Sequence, residues 1–213
     1  MRLKSLLLGA GLAVASLFGS LAAQEQTQSK TDAYIEKLQT LTLRENLEMP
    51  QVDKRDHETV KTLMGRTAKT IAKDKAYKVE SMRKGEVIVV TIPTDVLFAP
   101  NDTLLIDGAG DKWLTVFLQY LQKPGKYKLL LAVHSDNTGS KYYTENLTAQ
   151  RIEALYEWFD SKNREGAKYV FGYPMGDTQP LFENNTRANR ASNRRLEIFI
   201  VPEEGFIRSI KSR

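Results

Sequence analysis

The stretch that most constrains the fold of this chain is a strand, a polar turn and a helix that follow one another between residues 126 and 162. Leu129 to Val133 is continuously apolar. Such a run suits a strand covered on both faces, although a buried helix would show the same run. His134 to Ser140 then supplies turn and helix-start residues. Apolar residues return at helical spacing from Leu147 to Phe159, so a strand and a helix meet at a polar junction.

Strand and helix patterns alternate along the rest of the chain. The predicted elements are a short helix within 31–47, a helix over 57–73, a hairpin of 77–81 and 87–92, a strand at 95–98, a helix over 104–122, a strand at 126–133, a helix over 140–162, and strands at 168–171 and 196–201. Residues 172–190 are rich in loop formers. This order predicts an α/β sandwich, with a mixed sheet covered by helices and preceded by a short helical N-terminal segment.

The first residues have the pattern of a secretory signal peptide. Arg2 and Lys4 precede a run of apolar and small residues from Leu6 to Leu21, and Ala22-Ala23 offers a cleavage site. An uncleaved membrane anchor is the alternative, because the run approaches the length that spans a bilayer. The predicted segments are a signal peptide (1–23), a helical or linker segment (24–76), a folded domain (77–202) and a basic tail (203–213), whose terminal position favours disorder.

The composition excludes cysteine chemistry and indicates the charge of a binding partner. The 213 residues include no cysteine, which excludes a disulfide framework, a lipid-modified cysteine and thiol catalysis. The net charge of +5, or +3 without Arg2 and Lys4, suits an anionic partner such as a cell-wall polymer, a membrane surface or nucleic acid. The lysine-rich helix over 57–73 is predicted to pack on its own domain or on another copy, and a basic membrane-surface helix is the alternative.

His134, Ser135 and Asp136 contain the letters of a hydrolytic triad, but consecutive strand residues point to opposite sides and cannot converge. The other histidine, His57, has no metal-ligand spacing around it. Asp136 at the strand end and Arg151 on the next helix could instead clamp a ligand that carries an amine and a carboxylate. Considered alone, both residues have a plainer interpretation, as a turn-forming aspartate and a solvated helical arginine.

Four ordered motifs resemble those of the OmpA-like peptidoglycan-binding domain family. They are Asp95-Val96-Leu97-Phe98; His134-Ser135-Asp136-Asn137-Thr138-Gly139-Ser140 with Tyr143, Leu147-Thr148 and Arg151; Gly176 to Pro180; and Arg190-Ala191-Ser192-Asn193-Arg194-Arg195-Leu196-Glu197-Ile198. The resemblance covers about residues 77–202 and implies the OmpA-C-like α/β fold. The chain departs from the family pattern at Ala99, Pro100, Thr144 and Ile152, and these changes leave Asp136 and Arg151 in place.

The resemblance implies non-covalent binding of the diaminopimelate in cell-wall stem peptides. By motif position, Asp136 takes the ammonium of the ligand and Arg151 its carboxylate, through charge-assisted hydrogen bonds. The further ligand-binding positions that it implies are Phe98, Asn137, Thr144 and Arg194. Arg194 is expected to brace the fold or the rim of the pocket, with a solvated basic cluster as the alternative. No catalytic residue, metal ligand or cofactor is implied.

The sequence therefore predicts a periplasmic protein that tethers the outer membrane or an envelope complex of a Gram-negative bacterium to peptidoglycan. Two other interpretations stay open: a cell-wall hydrolase or amidase, and an assembly subunit that docks a protein partner through residues 24–76. The sequence offers no cysteine nucleophile, metal cluster or acid/base pair, so enzyme activity is not expected. A homodimer also stays open, and no nucleic-acid partner is expected.

Overall fold

The structure, a computed structural model, describes residues 25–211 and divides into two compact units at Thr40 and Leu41. The predicted signal peptide, residues 1–23, lies outside the described residues. In the first unit, residues 25–39 form helix α1. The second unit holds the sheet and the remaining described helices. None of the helices within residues 25–211 is both long and apolar enough to cross a membrane.

The second unit is built on a five-stranded mixed sheet. Its strands, in the spatial order β1-β2-β5-β3-β4, are β1 (Lys78–Met82), β2 (Val87–Pro93), β3 (Tyr127–His134), β4 (Val170–Gly176) and β5 (Arg195–Pro202). In this sheet β3 and β4 run parallel, and the other neighbouring strands are antiparallel. The inner strands β3 and β5 are almost entirely buried, as their apolar sequences predict. The predicted α/β sandwich with a mixed sheet is confirmed.

Helices pack on both faces of the sheet. They are α2 (Leu43–Leu47), α3 (His57–Ile71), α4 (Ala109–Trp113), α5 (Thr115–Leu121), α6 (Lys141–Lys162), α7 (Arg164–Ala167), α8 (Arg187–Asn193) and α9 (Glu204–Lys211). The long helix α6 begins after Ser140, whose hydroxyl accepts a hydrogen bond from the Tyr143 N–H. It packs on β3 and β4. A Cβ at Gly172 of β4 would lie 2.1 Å from Ile152 Cγ2 of α6, so glycine permits this close approach.

The segment before β1 is tied to the other face of the sheet. Tyr173 follows Gly172 in β4 and therefore points away from α6. Its hydroxyl accepts a hydrogen bond of 2.7 Å from Asn46 Nδ2 of α2. Between β1 and β2, Arg83 donates to the carbonyl oxygens of Leu47 and Pro50, at 2.6 and 3.0 Å. Buried donors and acceptors are thus satisfied across segments that are far apart in sequence.

Helix α3 belongs to the same compact unit as the sheet. Its residues Val60, Met64 and Ile71 are buried, and it contacts β1, β2 and α9. The unit accordingly begins at Leu41, whereas the sequence places a boundary between a segment of 24–76 and the folded domain. The difference arises because α3 has few large apolar residues, so its sequence does not reveal that their side chains complete the core of this domain.

The prediction of a strand at 95–98 is wrong. The structure has a 3₁₀ turn at Thr94–Val96, and the N–H groups of Leu97 and Phe98 both donate to the Thr94 carbonyl oxygen. Leu97 and Phe98 are buried, so their apolar character reflects burial in a turn. A single bridge joins Phe98 to Leu105.

The predicted helix over 104–122 begins later and is split into α4 and α5. The Asp102 carboxylate accepts hydrogen bonds from the N–H groups of Thr103 and Leu104, which favours a turn over a helix. Leu104 is 71% exposed. Gly108 then has a φ of +70°, directly before α4, and such a left-handed residue separates the loop from the helix.

The predicted basic tail and the loop-rich stretch contain helices. Phe206 and Ile207 are buried on α9, and Glu203 before it forms a buried ion pair of 3.0 Å with Lys128 of β3. The tail of 203–211 is therefore part of the fold, because two of its apolar residues are buried where α9 packs on β5. Within 172–190, β4 extends to Gly176 and α8 begins at Arg187.

Candidate functional site

Three neighbouring strands bring charged residues to one edge of the sheet. Asp95 follows β2, Asp136 follows β3, and Arg194 directly precedes β5. Because β2, β5 and β3 are adjacent in the sheet, residues separated by up to 99 positions meet at this edge. Helix α6 adds Arg151, whose charge interacts with those of Asp95 and Arg194.

Asp136 is a buried carboxylate with a donor on each oxygen. Oδ1 accepts from the Thr138 N–H at 2.8 Å, and Oδ2 lies 2.6 Å from Arg194 Nη1. The side chain is 8% exposed. Burial alone would raise the pKa of Asp136, but the hydrogen bonds from Thr138 and Arg194 outweigh it and hold the pKa below its ordinary value. The group is therefore ionised at neutral pH.

Arg194 connects two carboxylates. Its Nε and Nη2 donate to Oδ1 and Oδ2 of Asp95, at 2.9 and 2.7 Å, while Nη1 donates to Asp136. The hydrogen bonds from Asp95, opposed by partial burial, raise the pKa of Arg194 above its ordinary value. Arg194 is thus held between two carboxylates, and its role as a brace at the rim of the pocket stays a prediction.

Arg151 is a buried guanidinium that forms no ion pair with a carboxylate among residues 25–211. It is 4% exposed. Nε donates to the Asp102 carbonyl oxygen at 2.9 Å, Nη2 is 3.4 Å from that of Ala99, and the group lies 4.8 Å from the centre of the Phe98 ring. Burial lowers the pKa of Arg151, and Asp95 opposes this at longer range. The interpretation of Arg151 as a solvated helical arginine is wrong.

The other predicted positions lie around this pair in different ways. Phe98 is buried under Arg151 and supports the guanidinium through a cation–π contact. Asn137 is exposed in the loop after Asp136. Thr144 is buried, and its hydroxyl contacts the Lys141 carbonyl oxygen at 3.0 Å and Asp177 Oδ1 at 3.2 Å. The ligand-binding role of each position stays a prediction.

Sequence reasoning missed two features of the site. Asp95 belongs to a sequence motif but is not among the predicted site residues, although it holds Arg194 in a bidentate contact. The Tyr143 hydroxyl donates to Asn101 Oδ1 at 3.2 Å, which joins α6 to the loop that faces Arg151. Asn101 has a φ of +61°, a conformation in which asparagine is enriched. No local pattern could have shown either pairing.

The arrangement presents opposite charges to a small ligand. Asp136 supplies an ionised acceptor and Arg151 a cation with unused N–H donors, so a molecule that carries an ammonium and a carboxylate group would complement both. Among the described residues, no group of histidine, aspartate and glutamate side chains could hold a metal ion.

A separate cavity of about 840 Å³ lies elsewhere on the second unit. It is bounded by α2, by Met82 of β1, by Val89 of β2, by Tyr173 of β4 and by Phe199 of β5. None of Asp95, Asp136, Arg151 and Arg194 lines it. The cavity is therefore distinct from the charged site, which is defined by its side-chain chemistry and not by its volume.

Comparison with known proteins identifies related chains. Probable lipoprotein YiaD of Escherichia coli (strain K12) is 25% identical over 135 residues, which are 63% of this chain and 61% of that protein. Outer-membrane lipoprotein YfiB of Pseudomonas aeruginosa is 37% identical over 78 residues, 36% of this chain and 45% of that protein. The matches thus span between about half and three fifths of these curated relatives. No family model matches the chain.

Two solved structures share the fold. A MotB-like protein from Desulfovibrio vulgaris superposes with a TM-score of 0.58 at 21% identity, covering 68% of this chain and 95% of that one. The cell wall anchor of the T6SS from Pseudomonas aeruginosa superposes with a TM-score of 0.52 at 26% identity, covering 66% and 97%. The chain therefore has the OmpA-like and MotB-like α/β fold, and the resemblance predicted from its motifs is confirmed.

Proposed function

We propose that this protein binds peptidoglycan non-covalently and tethers the outer membrane or an envelope complex to the cell wall. Its ligand is the diaminopimelate of a stem peptide, with the ammonium group at Asp136 and the carboxylate at Arg151. The protein acts in the periplasm of a Gram-negative bacterium, in association with the outer membrane or the wall.

The observation that carries this proposal is that Arg151 is buried and has no carboxylate partner among residues 25–211. Buried charges in proteins are normally paired, because an isolated buried ion is costly. Arg151 contacts carbonyl oxygens and an aromatic ring, while Asp136, which has Arg194 as a neighbour in common with Arg151, is held ionised. A ligand carboxylate would complete the contacts of Arg151, and diaminopimelate carries an amine and a carboxylate on one carbon atom.

The comparisons support the cell-wall assignment through the names of similar proteins. One is a cell wall anchor, and one is an outer-membrane lipoprotein. The fold alone does not define the ligand, so the proposal for diaminopimelate rests on the charges of the site.

Co-sedimentation with isolated peptidoglycan tests the proposal. Asp136→Asn removes the charge with little change of shape, and loss of one partner of a desolvated charge contact should weaken binding by about 2–5 kcal/mol. Glu157→Gln on the exposed face of α6 is the matched control, and it should sediment as the unaltered protein does. Equal sedimentation of all three proteins would contradict the assignment of Asp136.

The proposal describes a binding protein and not an enzyme. Incubation with purified peptidoglycan should release no soluble fragments, and released fragments would favour the hydrolase interpretation. A protein partner docked on residues 24–76 remains a further proposal. Within this segment the side chains of Arg66 and Lys69, three positions apart on α3, are exposed and are available for contact.

A further inference from the structure

We propose that Arg194 and Asp95 are positioning residues that hold the Asp136 carboxylate in the orientation and charge state that the ligand requires. The inference rests on the proposed function, and it assigns to these two residues a role that involves no contact with the ligand carboxylate.

The hydrogen-bond geometry limits how Asp136 can move. One of its oxygens is held by the backbone N–H of Thr138 and the other by Arg194, at 2.8 and 2.6 Å. Two fixed donors on different oxygens define the plane of the carboxylate. The remaining lone pairs of both oxygens can accept hydrogen bonds from a ligand ammonium.

Arg194 is itself held by groups other than Asp136. Asp95 binds it through two parallel hydrogen bonds, and the Arg194 carbonyl oxygen accepts from the Thr94 N–H at 3.1 Å. Since Asp95 engages Nε and Nη2, the Nη1 nitrogen is directed to Asp136. The hydrogen bonds from Arg194 to Asp95 and to Asp136 therefore fix the relative positions of these side chains at the ends of three strands.

The charges explain why Arg194 differs from Arg151. Two carboxylates surround Arg194, so its charge is already compensated, and a ligand carboxylate would be repelled there. Arg151 lacks such a pair among the described residues. The charged group in direct contact with Asp136 is Arg194, from the junction of α8 and β5. Asp95, from the turn after β2, binds Arg194, and Arg151 on α6 interacts with the charges of Asp95 and Arg194.

The test measures affinity for a diaminopimelate-containing stem peptide at about pH 7.5 and about pH 5. Arg194→Gln should lower the affinity about tenfold at the higher pH, comparable with the loss of one charged hydrogen bond, and further at the lower pH. Burial opposes the charged form of Asp136, and without Arg194 only the hydrogen bonds from Thr138 remain to offset it, so the pKa of Asp136 should rise and a larger share of the carboxylate should be protonated at the lower pH. Asp95→Asn should cause a smaller loss, and Arg187→Gln, an exposed position on α8, should cause none.

A second ligand separates positioning from direct contact. If the diaminopimelate carboxylate is converted to an amide, the unaltered protein and Arg194→Gln should lose affinity by the same factor, whereas Arg151→Ala should be nearly indifferent. A reduced response of Arg194→Gln to the amide would overturn the inference in favour of direct contact. A lowered melting temperature with an unchanged pH profile would also overturn it, in favour of a structural role.

The experiments distinguish failure of the proposed function from failure of the positioning role alone. If the unaltered protein fails to bind the stem peptide, the proposed function fails. If it binds, Asp136→Asn abolishes binding, and Arg194→Gln binds with ordinary affinity at both pH values, only the positioning role fails.

Discussion

At the scale of single residues, the planar shape of the Arg151 side chain is expected to matter as much as its charge. Its Nε is occupied by the Asp102 carbonyl oxygen and its face by Phe98, so the remaining N–H donors have a fixed direction. Arg151→Lys should weaken binding of the stem peptide nearly as much as Arg151→Ala, because lysine offers a mobile point donor in place of a fork. Isothermal titration at two salt concentrations measures both variants.

General electrostatic attraction would give a different pattern for the same variants. A lysine would then serve as well as arginine, and affinity would fall steeply with salt for both. Near-ordinary affinity of Arg151→Lys would therefore argue against a specific carboxylate contact. Arg187→Lys, on the exposed surface of α8, is the control for the substitution itself.

Another residue-scale prediction concerns Glu197 in β5. Burial would raise the pKa of Glu197, but the His134 ring, 3.6 Å away, and the 2.8 Å hydrogen bond from Arg195 Nε outweigh it and lower the pKa to about 2. Its stabilising effect is fully present above the ordinary value near 4.5 and is lost as the pH falls toward about 2. Glu197→Gln should lower the free energy of unfolding by about 1–3 kcal/mol at neutral pH, and this loss should shrink below about pH 4.5.

Urea denaturation over a series of pH values measures this difference. Glu80→Gln is the control, since Glu80 is 54% exposed and its ion pair with Lys78 lies on the surface, where such pairs contribute little. A loss for Glu197→Gln that persists unchanged at about pH 3 would contradict the assignment of a low pKa.

At the scale of elements, helix α3 should contribute to the core through its buried face. Met64 is fully buried, so Met64→Ala should destabilise the protein by about 2–5 kcal/mol through lost contacts and a cavity. Thr62→Ala, on the exposed face, should change stability by about 0.5 kcal/mol or less. Chemical denaturation of both variants measures the contrast, and equal effects would show that α3 is peripheral.

Elements were predictable from sequence where one pattern dominates. The hairpin, β3, α6 and β5 match their predicted ranges closely, because alternation, continuous apolar runs and helical spacing each describe a uniform environment. Residues 95–106 were not predictable in this way. Their apolar side chains serve a buried turn at Phe98 and an exposed loop at Leu104, and tertiary contacts decide between them.

The candidate site was likewise predictable from sequence only in part. Asp136 and Arg151 follow from their places at a strand end and on the next helix, together with the family motif. The Asp95–Arg194 contact joins positions 99 residues apart. It depends on the order of the strands in the sheet, and sequence patterns in a single chain do not contain that order.

At the scale of the whole molecule, the boundary at Leu41 leads to a truncation experiment. The sequence predicts that a fragment beginning near residue 75 folds alone. The structure instead places three buried apolar residues of α3 in the core, and Glu86, whose side chain is 10% exposed, contacts His57 at 2.6 Å. A fragment from residue 41 should therefore unfold cooperatively, whereas a fragment from residue 75 should be largely unfolded.

The expected magnitude follows from the lost burial. Each buried side chain of this size contributes about 1.5–3 kcal/mol, and the total stability of a domain is about 5–15 kcal/mol. Loss of Val60, Met64 and Ile71 would remove about 4.5–9 kcal/mol, an amount comparable with the whole stability of a domain. Circular dichroism during thermal unfolding compares the two fragments, and stem-peptide binding provides a second readout, because Asp95, Asp136 and Arg151 are present in both. A fragment from residue 75 that unfolds cooperatively and binds as tightly as the longer one would place the boundary at the position predicted from the sequence.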